Sequence, residues 1–193
     1  MRKIGFIGCG HMAKALIKGL KSNKSYELFG HDRNTKNLAW LEQEKIPFRS
    51  LKEICQESDI LMICVKPKDM YDLCSEMRTY IGNELKIVSV AAGITLENLK
   101  DALPGGKVFR AMPNIGAKHN LGITSIFSYE ELNEIIDIFN YLGKAIVVED
   151  EDKINLHTSL IGSAPAFYFE IINKFEHRPV SYTHLTLPTK CWV

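Results

Sequence analysis

The chain has 193 residues, 46% of them apolar and 24% charged, with a formal net charge of +1. This length can bury a real core, enough for one ordinary domain or a domain and a fragment, and the composition is that of a soluble globular protein. No long basic run and no apolar stretch of transmembrane length is present, which argues against nucleic-acid and membrane partners and leaves small diffusible ones.

Met1 leads directly into an apolar strand, Ile4-Gly5-Phe6-Ile7, so no signal peptide and a cytoplasmic location are expected. Gly8-Cys9-Gly10-His11-Met12-Ala13 follows and opens an amphipathic run through Leu20. A strand, a glycine-rich turn and a helix in that order begin a dinucleotide-binding βαβ unit. Gly8 permits the tight turn, Gly10 has no side chain to keep a pyrophosphate off the backbone, and Ala13 lets the helix pack closely on the strand. The helix start aims its amide groups and positive dipole end at the phosphates. Asp32, at the end of the next apolar strand (Tyr26, Leu28, Phe29), lies about 20 residues on, as the fingerprint requires.

Residues 34–44 read as a helix with Asn34 as N-cap and Leu38, Trp40 and Leu41 inward. Residues 46–48 read as a brief edge strand, 51–57 as a short helix, and 59–65 as a strand apolar enough to be buried on both faces of a parallel sheet. A helix over 69–80, a strand over 86–91, a short helix over 96–103 closed by Pro104-Gly105-Gly106 and a strand over 107–112 follow. Residues 122–127 alternate less clearly, 130–142 form an amphipathic helix, and 145–148 a last strand. Strands alternating with helices in this way predict an α/β fold with a doubly wound, mostly parallel sheet over residues 1–150.

From Asp152 onward, Leu160, Ile161, Ala164, Phe167, Tyr168, Ile171, Ile172 and Phe175 recur at helical spacing, a broad apolar face that needs a partner. Pro165 inside this helix removes a backbone donor and is expected to bend it. Residues 151–178 are expected to be the first helix of a second, all-helical domain that is incomplete in this chain, which by itself is expected to be inactive. Residues 179–193 lose the helical period, and Val180 to Thr189 can be written as a translated transposon-library sequencing adapter, so residues 179–193 are expected to be non-native.

Ligands in open α/β sheets gather at the carboxyl ends of the strands. Val65-Lys66-Pro67, Ala91-Ala92-Gly93-Ile94 and Arg110-Ala111-Met112-Pro113-Asn114 all fall there, with small residues for close approach of a flat ring and with Lys66 and Asn114 as polar contacts for ribose or carboxamide. Together with the glycine turn and Gly162-Ser163-Ala164-Pro165-Ala166, these five ordered motifs resemble those of pyrroline-5-carboxylate reductase, from Met1 to about Glu176.

The resemblance implies a Rossmann-like domain followed by an all-helical dimerisation domain, a homodimer or higher homo-oligomer, and hydride transfer from NAD(P)H to the C=N carbon of 1-pyrroline-5-carboxylate, giving L-proline. It implies that Ile7, Gly8, Cys9, Gly10, His11 and Met12 hold the pyrophosphate, that Cys64, Val65, Lys66, Pro67, Val90, Ala91 and Ala92 line the nicotinamide side, and that Asn114 sits near the ring. The family has an asparagine shortly before the third strand where this chain has Ser50-Leu51, and Ile161 and Ala164 replace the first and fourth residues of its Ser-Gly-Ser-Gly-Pro-Ala motif. At His31-Asp32-Arg33-Asn34, Asp32 suits a ribose 2′-hydroxyl and Arg33 a 2′-phosphate; the resemblance implies NADPH, and Asp32 keeps NADH open.

No catalytic residue is assigned within the chain, because the Gly-Gly-Thr segment implied by the resemblance does not occur in it, and Lys66 reads as a cofactor contact rather than an acid. His11, His31, His119 and His157 have surface or packing roles, with no spacing for a metal site or triad. The five cysteines (Cys9, Cys55, Cys64, Cys74, Cys191) read as reduced, packed thiols. Two further readings use the same scaffold: another imine or β-hydroxyacid reductase, whose hydroxyacid members rely on a lysine in the interdomain helix where this chain has Ser163-Ala164-Pro165 and no lysine from there until Lys174, and a dinucleotide-binding regulatory protein without catalysis.

Overall fold

The computed structural model describes residues 1–176. Seven strands form one sheet in the order β2-β1-β3-β4-β5-β6-β7. They are β1 Arg2–Ile7, β2 Tyr26–His31, β3 Ile60–Ile63, β4 Lys86–Ser89, β5 Lys107–Met112, β6 Gly122–Phe127 and β7 Gly143–Val147. The first five are parallel and in register at their carboxyl ends: Ile7 faces His31 on one side and Ile63 on the other, Ile63 faces Ser89, and Ser89 faces Arg110. β6 runs antiparallel to β5 and parallel to β7.

Alternation along the strands divides the core into two layers. Ile7, Leu61, Ile63, Ile87, Val108 and Met112 face one side, beneath α3 (Leu51–Glu57), α4 (Met70–Met77), α5 (Leu96–Ala102) and α7 (Asp152–His157). Ile4, Phe6, Ile60, Met62, Val88, Phe109 and Ala111 face the other, beneath α1 (His11–Leu20), α2 (Thr35–Gln43) and α6 (Asn133–Tyr141). Both faces are therefore buried, which is why the strands read as nearly continuous apolar runs.

Local chemistry explains the element ends. The Asn34 side chain accepts from the Lys36 amide and starts α2, and Ser50 and Glu53 form a reciprocal capping box on α3. The expected edge strand at 46–48 is only an isolated bridge between Gly30 and Phe48. Pro47 has no N–H to carry a ladder further. The expected helix at 69–80 is three pieces: a 3₁₀ turn at Pro67–Asp69, then α4, then a 3₁₀ turn at Arg78–Tyr80. α6 begins later than its apolar pattern, because Ser128 Oγ accepts from the Glu130 amide and donates to Val108 O, holding a turn there. A 3₁₀ segment at Ile115–His119, absent from the sequence reading, packs against Gly19 of α1.

The final helix is continuous but not uniform. α7 passes into a π-helical stretch, Thr158–Ser163, and then into α8, Ala164–Glu176. The Ala164 amide reaches back five residues to Ser159 O. This wider turn lets the chain take Pro165, whose ring would otherwise meet the carbonyl of Ile161 one turn earlier. Residues 179–193, read as non-native, lie outside the described residues.

Candidate functional site

The strand order reverses at β1, whose neighbours β2 and β3 lead the chain outward in opposite directions. A crevice must open between the β1 and β3 ends at such a switch point. A cleft of about 450 Å³ lies there, and it is lined by Ile7, Gly8, Gly10, Asp32, Arg33, Cys64, Val65 and Lys66 of the sequence-predicted set.

Gly8 and Gly10 have different reasons for being glycine. Gly8 has φ +84°, and a Cβ there would stand 2.9 Å from Val65 Cγ1 and 3.0 Å from the Cys64 carbonyl carbon. The fold itself demands it. A Cβ on Gly10 would meet nothing within 4 Å. That emptiness faces the start of α1, where the first-turn amides have no intrahelical acceptor, so the space suits an anionic group drawn close to the backbone. The residues present fit a dinucleotide pyrophosphate.

Asp32 follows the last residue of β2 and reaches into the same turn. Its Oδ2 accepts from the Cys9 amide at 2.6 Å and from Asn37 Nδ2 at 2.9 Å, and its Oδ1 accepts from the Asn34 amide at 2.7 Å. A carboxylate has about four lone-pair sites, so three are committed to holding the turn and one is left for a ribose hydroxyl. Beside it, the exposed Arg33 is bound through Nη2 to both carboxylate oxygens of Glu76 on α4, at 2.6 and 2.5 Å.

The cysteines at the cleft are not nucleophiles. Burial, and secondarily the Asp32 charge, push the Cys9 thiol up to about 12. Burial also pushes Cys64 upward, with Cys9 adding to it. Both stay protonated at neutral pH. Cys9 packs behind the turn and contributes its amide to Asp32 rather than its sulfur to the cleft.

The remaining predicted residues lie outside the cleft lining. His11 and Met12 form the first turn of α1, Pro67 starts the 3₁₀ turn, and Val90, Ala91 and Ala92 follow β4. Asn114 follows β5 and makes contacts of its own: Oδ1 accepts from the Ile123 amide at 3.2 Å, and Nδ2 donates to Ile161 O at 3.4 Å. The contact with Ile161 O ties the end of β5 to the last helix. Asn37, Lys68, Asp69 and Asp72 line the cleft without having been singled out from sequence. The acidic spacing of Asp69 and Asp72 ahead of and within α4 was the available signal.

A second buried link sits nearby. Arg110 on β5, 2% exposed, donates from Nη1 to Glu151 Oε1 at 2.6 Å, and the same oxygen accepts from the Leu96 amide at 2.6 Å. Glu151 thus joins β5, the start of α5 and the start of α7.

A family model described as "NADP oxidoreductase coenzyme F420-dependent" matches residues 3–93. The pyrroline-5-carboxylate reductase of Escherichia coli K12 is 34% identical over 182 residues, covering 89% of this chain and 67% of that protein. The chain belongs to the pyrroline-5-carboxylate reductase family. The reductase of Methanosarcina acetivorans is likewise 34% identical, over 191 residues, with the same coverage of 89% and 67%. Among solved reductases, that of Streptococcus pyogenes superimposes with a TM-score of 0.78 at 26% identity, covering 92% of this chain and 71% of the other. The Plasmodium falciparum reductase, described with NADP bound, shares the fold with a TM-score of 0.79 at 23% identity, covering 90% and 67%. The chain spans about two thirds of the length of these reductases.

Proposed function

We propose that this chain binds NADPH across the crevice between β1 and β3 and serves the reduction of 1-pyrroline-5-carboxylate to L-proline. The observation that carries this reading is the open space over Gly10 at the start of α1, facing Cys64, Val65 and Lys66 at the end of β3, in a member of the reductase family. When bound, NADPH supplies the hydride, and the chain's own task is to hold and orient. The first-turn amides after Gly10 take the pyrophosphate, helped by the positive helix end. The free lone pair of Asp32 takes a ribose hydroxyl, and Arg33 takes the 2′-phosphate.

Ile7, Gly8, Cys9, Gly10, His11 and Met12 form the pyrophosphate turn in this reading, and Cys64, Val65, Lys66, Pro67, Val90, Ala91 and Ala92 lie along the nicotinamide side. Asn114 serves that end indirectly, by fixing the helix that carries Gly162 to Ala166. A protonated imine carbon is already electrophilic, so alignment supplies much of the acceleration. Residues 1–150 make the dinucleotide domain, residues 151–178 begin a helical dimerisation domain, and the working protein is a cytoplasmic homodimer or larger homo-oligomer. The exposed apolar side chains of α8 support that assembly. Among the described residues no helix is long and apolar enough to cross a membrane.

The test is a chimera in which residues 1–176 of this chain replace the matching part of the E. coli reductase. NADPH oxidation that depends on 1-pyrroline-5-carboxylate and yields proline is the expected result. A chimera that binds NADPH yet forms no proline would contradict the reading.

A further inference from the structure

The adenosine end of the cleft carries a charge arrangement that hydride transfer does not require. Arg33 has a side chain 69% exposed, yet its Nη2 is held by both carboxylate oxygens of Glu76, on the helix of the opposite wall. Glu76 and Asp72 lie one turn apart on α4, and Asp69 immediately precedes that helix. Asp69 and Asp72 line the cleft. All three carboxylates hold the Arg33 charge in place, Glu76 through its hydrogen bond first. On the near wall, Asp32 is already committed to Cys9, Asn34 and Asn37 and does not compete for Arg33.

Arg33 therefore has two anionic partners open to it. One is Glu76, supplied by the chain itself. The other is a phosphate on the 2′-position of a bound ribose, which falls beside the end of the second strand in a nucleotide-binding sheet. Glu76 holds Nη2 with both of its oxygens, so a phosphate that takes Nη2 as one prong of a two-pronged pairing must displace it.

We propose that Glu76 is a specificity-determining residue: it competes with the 2′-phosphate for Arg33 and so weakens the preference for NADPH over NADH. This inference rests on the reading of the cleft as an NAD(P)H site. NADPH binding draws Arg33 Nη2 away from Glu76 and toward the phosphate, so the new pairing with phosphate is offset by the loss of the pairing with Glu76. NADH carries only a hydroxyl at that position and leaves the Arg33–Glu76 pair intact. The balance between the two cofactors is set on α4, a helix that the glycine fingerprint does not include.

The test is titration of the 193-residue chain with NADPH and with NADH, followed by calorimetry, for the wild type, Glu76→Gln, Arg33→Gln and the double variant. Exposed ion pairs are weak, so Glu76→Gln is expected to bind NADPH roughly two- to fivefold more tightly, with NADH affinity unchanged. The gain should vanish in the Arg33→Gln background and shrink as salt is raised. An unchanged NADPH affinity in Glu76→Gln would overturn the inference. So would a gain that persists without Arg33, since that would be a general charge effect. A wild-type chain that binds neither nucleotide would instead sink the cofactor reading underneath.

Discussion

Gly8 and Gly10 are indistinguishable as letters in a fingerprint, but the structure separates them. Gly8→Ala would place a side chain at φ +84° against Val65 and Cys64, so a loss of about 1–3 kcal/mol is expected in chemical denaturation. Asp32 was singled out from its place after β2, whereas its grip on the Cys9 amide was not legible, because a backbone donor leaves no mark in the sequence. Asp32→Ala removes acceptors from two amides and Asn37, and should cost roughly 1–3 kcal/mol by the same measurement. Cys9 adds a pH dependence. Its folded value is raised from 9.0 to about 12, so the stability it contributes is complete below pH 9 and is lost as the pH climbs toward 12. Unfolding free energies should fall with a slope approaching about 1.4 kcal/mol per pH unit for this thiol, and Cys9→Ala should flatten that slope. An equally steep decline in the variant would remove Cys9 from the explanation.

Elements bounded by local chemistry were the most legible. The helix over Leu51–Glu57 and the strand over Lys107–Met112 lie where the sequence put them, because apolar runs and their flanking polar residues are local signals. Residues 46–48 misled because their apolar pattern suits a strand while Pro47 cannot extend the pairing. The reversal of β6 escaped for another reason: strand direction is decided by the partner, and nothing inside Gly122–Phe127 records it. The π-helical turn before Pro165 and the long-range hydrogen bond from Asn114 to Ile161 O were likewise invisible, since helix-period spacing carries no sign of either. Glu151 makes a corresponding junction at the other end of α7. Glu151→Ala would strand Arg110, whose Nη2 already lacks a partner, in a buried layer. A destabilisation of about 3 kcal/mol is expected, reduced somewhat by the partial exposure of Glu151, and a thermal melt unchanged from wild type would contradict it.

Across the whole molecule, the two-sided core is complete through β7 and α7, while the surface beyond is not closed. Leu160, Phe167, Tyr168, Phe169, Ile171, Ile172 and Phe175 are all exposed on one helical arm. An apolar surface of this extent drives association, so the chain should sediment as oligomers or aggregates, and the pair Phe167→Glu and Ile171→Glu should shift it toward monomer. A monodisperse wild-type monomer would contradict the dimerisation reading of this arm. The central claim concerns the cleft where β1, α1 and β3 meet. It is tested most directly by calorimetric titration of NADPH into the wild-type chain and into Gly10→Val, with thermal melts of both. Saturable binding by the wild type, none by the variant, and closely similar melting temperatures are expected, because a side chain at Gly10 enters only the space kept for the pyrophosphate. Equal NADPH affinity in the two proteins would contradict the claim.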